Sequence, residues 1–416
     1  MRILITGCTY FPSRNGQAIF TINLAEGLAA QGHTILVVIP RLKETPSLTE
    51  RNGVKIIQTP AFDLSFVHSE SAMSLFPIRK VRTILNEFQP DIIHIHDHYP
   101  LSKAFVIEAK KRHIKVVGTN HFVPDNLSPY IPGYKYFKSF YNQIMWKWML
   151  STYNQLDFAT APSRTAAEIL RNQNIKLPVY PISCGVDTSR FKLDSLIEKQ
   201  IWREKYHLDP EKPVFLFVGR VDAEKKIDVL VKALNIRQKD DIQFAIAGSG
   251  AYRKHLETIV NQLELQNQVK FLGFIPDSDL PSLLNSIDVF TMPSEAELLS
   301  IASLEAMACA KPLLLARARA LPELVHNEKN GYLFESGSSE DAARKIDILL
   351  KQKDGWQQMG LESLNLVQTH TLENTIAGYS MLYEALLSNV KLPNPQTEWL
   401  TLRPGAAQFQ KIAMEN

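Results

Sequence analysis

The sequence contains few cysteines and no long apolar run. Among its 416 residues, Cys8, Cys184 and Cys309 are too few and too scattered for a disulfide framework or a closed metal cluster. No stretch approaches the roughly 18 to 20 consecutive apolar residues that a membrane-spanning helix needs. The chain starts with MRILITGC, which enters a strand-like run without a cleavable signal. We therefore expect a cytoplasmic protein that does not span a bilayer.

The composition excludes a disordered or collagen-like chain. Hydrophobic residues make up 45% of the sequence and charged residues 21%, and the length favours two or three domains. The net charge of +3 is unevenly distributed, because residues 1–190 hold 21 Lys and Arg against 13 Asp and Glu, while residues 191–416 hold 25 against 30. A basic half can bind nucleic acid, an anionic membrane or a phosphorylated ligand, and ordinary surface variation produces it too. Charge alone leaves these classes open.

Short β-branched runs alternate with helical patterns in both halves of the chain, which is typical of βαβ units. The predicted strands are residues 2–6, 34–39, 54–58, 91–96, 115–119, 156–161 and 179–182 in the first half, and 214–219, 243–248, 269–273, 287–292 and 312–315 in the second. This pattern predicts an α/β protein with two Rossmann-like, doubly wound domains facing a cleft. Ligands bind such sheets at the carboxyl ends of the strands.

The domain boundaries follow from a polar, charged stretch at residues 185–213 that ends in two prolines. We assign residues 1–188 to an N-terminal domain, 189–212 to an interdomain linker and 213–370 to a C-terminal domain. Helical spacing of apolar residues predicts a C-terminal helix within residues 371–390. Residues 391–416 are interpreted as a loosely packed tail.

The most informative motif contains Glu297 and Glu305, eight positions apart. A turn at Leu298, Leu299 and Ser300 is predicted to open a helix. The unpaired backbone N–H groups of such a helix start suit a diphosphate, and Ser300 adds a hydroxyl donor. Glu305, about one turn into the helix, can accept both hydroxyls of a ribose. The alternative is that both glutamates face solvent and complement the helix dipole.

Several motifs in order resemble the GT-B glycosyltransferases of family 4. The glutamate pair runs into EAMA, LPELV and NGYLF, and is preceded by ISCGVDTSRF at residues 182–191 and FVGRVDAEKKIDVLVKAL at residues 217–234. The resemblance spans almost all of residues 1–390. It implies a retaining hexosyltransferase with the acceptor in the N-terminal domain and the donor in the C-terminal domain. It also implies that the final helix returns to the N-terminal domain.

The resemblance also implies roles for single residues. Arg220 and Lys225 would bind the donor diphosphate and stabilise the leaving charge, and Ile275 would read the base through its backbone. The catalytic candidates are His121, Arg220, Lys225 and Glu297. The candidates for binding the nucleotide sugar are Gly16, Arg220, Lys225, Gly248, Ile275, Glu297, Leu299, Ser300 and Glu305. No metal or other cofactor is expected, because the two cations compensate the charge.

The sequence departs from the family pattern at three places. Leu298, Leu299 and Ser300 follow the first glutamate where Phe-Gly is frequent, Lys226 replaces a usual glycine, and residues 317–320 replace a glycine-rich turn. These departures leave the identity of the sugar open.

Histidines are concentrated in the first half. His94, His96 and His98 alternate along a predicted strand, which can suggest a metal site, but this pattern recurs in the family without a metal. His121 matches the family histidine placed against the donor sugar, and the alternative is an ordinary loop histidine. Gly16, in an Asn-Gly pair, is implied to abut the donor phosphates, although such a pair is usually just a turn.

Residues 130–153 hold nine aromatics, and residues 126–156 contain no Asp or Glu. At helical spacing, one face holds Phe137, Phe140, Tyr141, Ile144 and Trp148. Such a segment can lie in a membrane interface or pack as a core helix. The basic half and the segment NHFVPDN, which resembles the acceptor side of lipid-glycosylating members, favour the membrane. We therefore expect transfer of glucose from UDP-glucose to a membrane lipid such as diacylglycerol, by an enzyme peripheral on the cytoplasmic face.

Three alternatives remain. The same enzyme class can act on a soluble or polysaccharide acceptor, with GDP-mannose as a donor. A non-catalytic sugar-nucleotide-binding protein is disfavoured because Arg220, Lys225, Glu297 and Glu305 occur together. Nucleic-acid binding is not expected, because no recognition motif is visible and the second half is acidic. The base, the sugar, the acceptor and the oligomeric state stay open.

Overall fold

The computed structural model describes residues 1–13, 15–41, 49–63, 72–124, 133–390 and 392. The chain divides into two compact units, one formed by Met1–Cys184 with Leu372–Asn416 and the other by Gly185–Thr371. The predicted tail, residues 391–416, lies outside the described residues apart from residue 392. Residues 189–212, predicted as a linker, lie within the second unit and include a helix, Lys199–Lys205.

The first unit contains an eight-stranded sheet. Its strands are β1 (Arg2–Thr6), β2 (Thr34–Pro40), β3 (Glu50–Arg51), β4 (Val54–Thr59), β7 (Ile92–Ile95), β8 (Lys115–Thr119), β9 (Phe158–Ala161) and β10 (Val179–Pro181), while β5 (Phe62–Asp63) and β6 (Ala72–Met73) form a separate antiparallel pair. The spatial order is β10-β9-β8-β7-β1-β2-β4-β3, and only β3 is antiparallel to its neighbour. All seven strands predicted for this half are confirmed. Strands β3, β5 and β6 have two residues each, too few to show a periodic pattern.

The helices of the first unit are α1 (Gly16–Ala30), α2 (Ile78–Phe88), α3 (Pro100–Lys111), α4 (Tyr134–Tyr153), α5 (Arg164–Arg171) and, last in chain order, α13 (Leu372–Leu387). Helix α13 packs closely on α1, because a Cβ atom at Gly27 would lie 2.0 Å from Cδ1 of Ile376. The C-terminal helix predicted within residues 371–390 corresponds to Leu372–Leu387, which is grouped with the first unit.

The second unit contains a six-stranded parallel sheet. Its strands are β11 (Val214–Val218), β12 (Gln243–Ala247), β13 (Val269–Gly273), β14 (Val289–Met292), β15 (Leu313–Arg317) and β16 (Gly331–Glu335). Its helices are α6 (Lys199–Lys205), α7 (Ile227–Arg237), α8 (Arg253–Gln262), α9 (Leu280–Ser286), α10 (Ile301–Ala308), α11 (Ser339–Lys351) and α12 (Trp356–Val367). The five strands predicted here are confirmed. Strand β16 was not predicted, because its residues were interpreted only as part of a motif.

Both sheets have the topology that creates a ligand crevice. The second sheet has the order β13-β12-β11-β14-β15-β16, so the winding direction reverses between β11 and β14. In the first sheet the reversal lies between β1 and β7. Loops diverge at such a switch point and leave a crevice at the carboxyl ends of the strands. Lys225 and Glu297 follow β11 and β14, and Gly16 follows β1.

Continuous burial of the strands explains why these sheets are covered on both faces. In β2, Val37 and Val38 are consecutive and fully buried, as are Leu216 and Phe217 in β11. An antiparallel sheet with one wet face would alternate apolar and polar residues, whereas parallel strands covered by helices are apolar on both faces. The predicted α/β, doubly wound fold class is confirmed for each unit.

Candidate functional site

The loop after β11 holds Arg220 between two acidic side chains. Its guanidinium donates to Asp222 Oδ2 at 2.6 Å and to Glu224 Oε1 at 3.0 Å. Charge-assisted hydrogen bonds of this kind restrict a side chain that would otherwise sample many rotamers. Sequence reasoning missed both acidic partners, although they lie two and four positions after Arg220.

Lys225 and Glu297 form the centre of the site. Lys225 Nζ lies 2.5 Å from Glu297 Oε1 and 3.6 Å from Glu224 Oε1. Burial opposes the charge on Lys225, but the carboxylates of Glu297 and Glu224 outweigh it and raise the pKa of the ammonium above its usual value. Because Arg220 also pairs with Glu224, the structure brings together three of the four predicted catalytic residues, and Lys225 stays charged at neutral pH.

Gly248 supports this loop by allowing close backbone packing. It has φ 136°, and a Cβ atom there would lie 1.8 Å from the carbonyl oxygen of Gly219. The strand-end loops are joined by backbone hydrogen bonds from Gly219 N to Ala247 O at 3.0 Å and from Gly248 N to Gly273 O at 2.7 Å. Gly248 was predicted to turn the chain near the nucleotide. The structure shows that it packs directly beneath the backbone that carries Arg220.

Two departures from the family pattern fall at left-handed backbone positions. Lys226 has φ 51° and Arg319 has φ 48°. Left-handed conformations cost a side-chain-bearing residue about 1 to 2 kcal/mol, which is why glycine is frequent there. The residue after Arg319, Ala320, donates its N–H to the carbonyl oxygen of Glu297 at 3.2 Å. The chain therefore keeps glycine-like turns beside the site without glycine.

Ser300 is the N-cap of α10. Its Oγ accepts from Ser303 N at 3.2 Å and from Ser303 Oγ at 2.8 Å, and the residue is 2% exposed. An N-cap side chain satisfies one of the otherwise unpaired N–H groups at a helix start. Leu298 and Leu299 are also buried. The predicted turn and helix are confirmed, but the side chain of Ser300 caps the helix, and Leu299 packs into the core.

Glu305 lies in a different electrostatic environment. Burial raises the pKa of its carboxyl to about 8, while the nearby charge of Arg190 lowers it and that of Asp277 raises it. Its carboxyl makes no hydrogen bond with any described residue. Glu305 is therefore mostly protonated at neutral pH, which differs from both the ribose-binding carboxylate and the solvent-facing acid considered from the sequence.

Arg190 is a site residue that sequence reasoning missed. Its Nη2 donates to the carbonyl oxygen of Asp277 at 2.5 Å, and its charge acts on Glu305. This contact ties the loop after β13, which contains Ile275, to the environment of Glu305. The side chain of Ile275 is 7% exposed. The only signal for Arg190 was its place in ISCGVDTSRF, a motif used solely for the resemblance.

In the first unit, Gly16 begins α1 after the cap residue Asn15, whose side chain accepts from Ala18 N at 3.0 Å. A Cβ atom at Gly16 would have no neighbour within 4 Å. Packing therefore does not require glycine at this position, in contrast to Gly248.

His121 packs on α1 with its ring 4.8 Å from that of Phe20. Burial lowers the pKa of its imidazole to about 3, and Nε2 is buried without a hydrogen-bond partner in the described part of the chain. His121 is therefore neutral at physiological pH. The neutral imidazole can donate one hydrogen bond and accept another, but it carries no positive charge.

His94 and His96 belong to a buried hydrogen-bond network. Thr21 Oγ1 lies 2.7 Å from His96 Nδ1, and Tyr383 of α13 lies 2.7 Å from His94 Nδ1. His98, three positions beyond the end of β7 at Ile95, is separate from this network and packs against Trp148. In the described ranges, no group of three or more His, Cys, Asp or Glu could hold a metal ion. The two histidines join α1 and α13 to the sheet.

Helix α4 contains both a buried and an exposed face. Met149 and Tyr153 are buried, whereas Phe140 is 67% and Ile144 is 47% exposed. Trp148, predicted on the same face as these two, is half-buried instead. Residues 130–132 of the predicted aromatic segment lie outside the described residues. Within the described residues, no helix is both long and apolar enough to cross a bilayer.

Two family models and several known proteins are similar to this chain. The family model Glycosyltransferase Family 4 matches residues 14–190, and the model Glycosyl transferases group 1 matches residues 198–363. A GDP-mannose-dependent alpha-mannosyltransferase of Corynebacterium glutamicum is 26% identical over 340 residues, covering 80% of this chain and 77% of that protein. An alpha-monoglucosyldiacylglycerol synthase of Streptococcus pneumoniae is 23% identical over 394 residues, covering 94% and 87%.

Solved structures share the fold. Sucrose-phosphate synthase from Thermosynechococcus elongatus superimposes with a TM-score of 0.78 at 20% identity, covering 93% of this chain and all of that one. HepE of Anabaena, in complex with UDP and glucose, gives a TM-score of 0.75 at 18% identity, covering 92% and 100%. The two family models together account for most of the chain, and the neighbours have the GT-B fold. The chain therefore belongs to the GT-B glycosyltransferases, with a family 4 domain followed by a group 1 domain.

Proposed function

We propose that this glycosyltransferase moves glucose, with retention of configuration, from UDP-glucose to a membrane lipid such as diacylglycerol. The observation that carries the transfer reaction is the pairing of Lys225 with Glu297 beside Arg220 at the carboxyl ends of β11 and β14. The lipid acceptor is supported by the synthase of Streptococcus pneumoniae, which aligns over 94% of this chain. Glucose as the transferred sugar is supported by the name of the same synthase, and UDP as the nucleotide by the UDP and glucose in the HepE complex.

In this proposal, Arg220 and Lys225 bind the diphosphate and stabilise the negative charge that grows on it as the glycosidic bond breaks. Both cations are held by carboxylates before the donor arrives, so little reorganisation is needed at the moment of transfer. For the first unit by itself, the family resemblance supports His121, neutral because it is buried, as a hydrogen-bonding partner of a sugar, and Gly16 as a phosphate contact. A metal would not be required for charge compensation.

The pairing of Glu297 supports a mechanism without a carboxylate nucleophile. A two-step retaining mechanism needs a free carboxylate next to the anomeric carbon. Glu297 Oε1 is instead 2.5 Å from Lys225 Nζ, which lowers its nucleophilicity. We therefore propose front-face substitution: the acceptor oxygen bonds to the anomeric carbon as the bond to the diphosphate breaks, and the leaving phosphate takes the acceptor proton.

The test is transfer of radiolabelled glucose from UDP-glucose to vesicles that contain diacylglycerol, with the anomeric configuration of the product determined by NMR. We expect an α-linked product and a loss of at least about 100-fold in kcat for Lys225→Ala, the size seen when one group that stabilises the transition state is removed. Lys254→Ala, at an exposed position of the same unit, is the matched control. Full activity of Lys225→Ala, or no transfer to any lipid, contradicts the proposal.

A second candidate is mannosyl transfer from GDP-mannose, favoured by the mannosyltransferase of Corynebacterium glutamicum at 26% identity. The same assay with labelled GDP-mannose separates the two donors. Transfer of mannose in preference to glucose would replace the first proposal at the level of the sugar and leave the roles of Arg220 and Lys225 intact. Turnover only with a soluble or polysaccharide acceptor would remove the lipid.

We also propose that α4 contacts the anionic surface of the membrane that holds the acceptor. Phe140 and Ile144 are exposed on α4 together with Lys147, a combination that suits the headgroup region of an anionic bilayer. Phe140→Glu should reduce sedimentation with anionic vesicles at low salt. Leu196→Glu, at an 88% exposed leucine of the second unit, is the control. Equal binding by Phe140→Glu would exclude α4 as the contact.

A further inference from the structure

A pocket in the second unit lies at the amino ends of the strands, away from the residues described above. It has a volume of 310 Å³ and includes Lys212 and Pro213, just before β11, and Asp288, just before β14. Lys225 and Glu297 follow the carboxyl ends of the same two strands. Because β11 has five residues, the two edges of the sheet are separated by roughly 16 Å. A ligand in this pocket would therefore not touch the proposed donor site.

Four cationic side chains line this pocket, contributed by Lys199, Arg203, Lys212 and Lys353. Glu211 and Asp288 are the two acidic residues of the lining. This cationic excess is local, because residues 191–416 as a whole hold 25 Lys and Arg against 30 Asp and Glu. Clustered cations in a concave site raise the local concentration of anions.

Arg203 forms a rigid floor for the pocket. Its guanidinium is 7% exposed and donates to Ser286 O at 3.0 Å, Pro210 O at 2.9 Å, Lys212 O at 3.2 Å and Asp288 Oδ2 at 2.6 Å. Asp288 Oδ2 also accepts from Val214 N at 2.8 Å. The negative charge of Asp288 is thus largely compensated from within the floor.

The lysines at the rim differ in how strongly they are paired. Lys212 lies 2.6 Å from Asp240, whereas Lys199 is 3.8 Å from Asp288, and Lys353 forms no ion pair with a described residue. Lys199 and Lys353 therefore keep most of their charge available to a ligand. Gln200 and Glu211, also in the lining, supply hydrogen-bonding groups for the uncharged part of such a ligand.

We propose that this pocket binds a phosphorylated small molecule, with the phosphate between Lys199 and Lys353 and the polar remainder against Gln200 and Glu211. A dianion matches two available ammonium groups better than a single carboxylate does. The volume exceeds what a phosphate ion alone would fill, which favours a phosphate ester with hydroxyl groups. The inference is independent of the donor, the acceptor and the transfer reaction.

The test is isothermal titration of the full chain carrying Lys225→Ala, so that the proposed diphosphate site contributes little. The probes are glucose 6-phosphate, inorganic phosphate and glucose. We expect glucose 6-phosphate to bind more tightly than inorganic phosphate and glucose to give no signal. Adding Lys199→Ala and Lys353→Ala should weaken binding of glucose 6-phosphate at least tenfold, and 0.3 M salt should weaken it in the parent.

The matched control adds Lys254→Ala and Lys351→Ala, which remove two exposed lysines of the same unit outside the pocket. This control should bind like the parent. Lys199 and Lys353 are both exposed, so circular dichroism should show that their replacement leaves the fold intact. Equal affinity of the pocket variant and the parent, or no binding of either phosphate probe at millimolar concentration, overturns the proposal. Glucosyl transfer in the unmodified chain is unaffected by either outcome, so the two proposals fail separately.

Discussion

Replacing Glu305 by glutamine removes a half-buried ionisable group whose pKa is raised to about 8. The folded protein therefore holds a proton that the unfolded chain releases at an ordinary pKa near 4.5. Because the folded state binds more protons in this interval, the free energy of unfolding falls as the pH rises from about 4.5 to about 8. Glutamine cannot ionise and lacks this dependence.

The size of the effect follows from the shift. One pKa unit corresponds to ~1.4 kcal/mol, so the stability advantage of Glu305→Gln over the parent should grow by ~1.4 kcal/mol per pH unit and reach ~5 kcal/mol above pH 8. For a structural unit of the size of Gly185–Thr371, each kcal/mol of stability changes the melting temperature by about 2 to 4 °C. Between pH 5 and pH 8 the difference in melting temperature should thus widen by about 10 °C.

The assay is differential scanning calorimetry of the parent and Glu305→Gln at four pH values, without ligand. Glu328→Gln is the control, because Glu328 is exposed and should follow the parent at every pH. A constant difference in melting temperature between Glu305→Gln and the parent from pH 5 to pH 8 would contradict this prediction, since it would mean that Glu305 ionises normally in the folded protein.

Two further outcomes test the packing of each unit. Gly248→Ala should destabilise the second unit by about 3 kcal/mol or more, since its Cβ would lie 1.8 Å from a carbonyl oxygen. Gly16→Ala should change the melting temperature little, because its Cβ would have no neighbour within 4 Å. Calorimetry of both variants checks these outcomes. Tyr383→Phe should cost about 1 kcal/mol in urea unfolding, because it removes the 2.7 Å hydrogen bond to His94 Nδ1 and leaves that atom only the longer contact with His96 Nε2 at 3.4 Å. An unchanged midpoint would mean that the bond from Tyr383 contributes nothing to stability.

The fold was predictable because its strands are continuous apolar runs that parallel, doubly covered sheets require. Where the local pattern was absent, prediction failed. Strand β16 begins at Gly331, which has φ 150°, and a Cβ atom there would lie 2.0 Å from the carbonyl oxygen of Leu313. Both features depend on tertiary packing and leave no local sequence pattern. The helix Lys199–Lys205 is short and charged, and two of the partners that fix Arg203 within it, Ser286 and Asp288, lie more than 80 positions away.

The candidate site was predictable only in part. The motifs identified Arg220, Lys225 and Glu297, and the structure brings these three together. The motifs did not reveal Asp222, Glu224 and Arg190, because the role of each of these residues depends on the side chains that it contacts in the folded chain. His94, His96 and His98 show the same limit. Alternation placed all three on one face, but β7 ends at Ile95, and among these histidines the structure joins His94 to His96 and packs His98 elsewhere.

Burial disfavours the charge of both Lys225 and Glu305 in the proposed donor site, and their neighbours decide the outcome. The carboxylates of Glu297 and Glu224 outweigh burial at Lys225, which keeps its charge, whereas burial outweighs the charge of Arg190 at Glu305, whose carboxyl is mostly neutral. A diphosphate would thus meet a cation that is charged before it binds. A ribose diol that donates two hydrogen bonds to Glu305 would favour the ionised carboxylate, so binding of UDP near pH 7 should release a fraction of a proton. The diphosphate therefore meets a charge that is already present, whereas binding of the ribose depends on pH because it requires Glu305 to ionise.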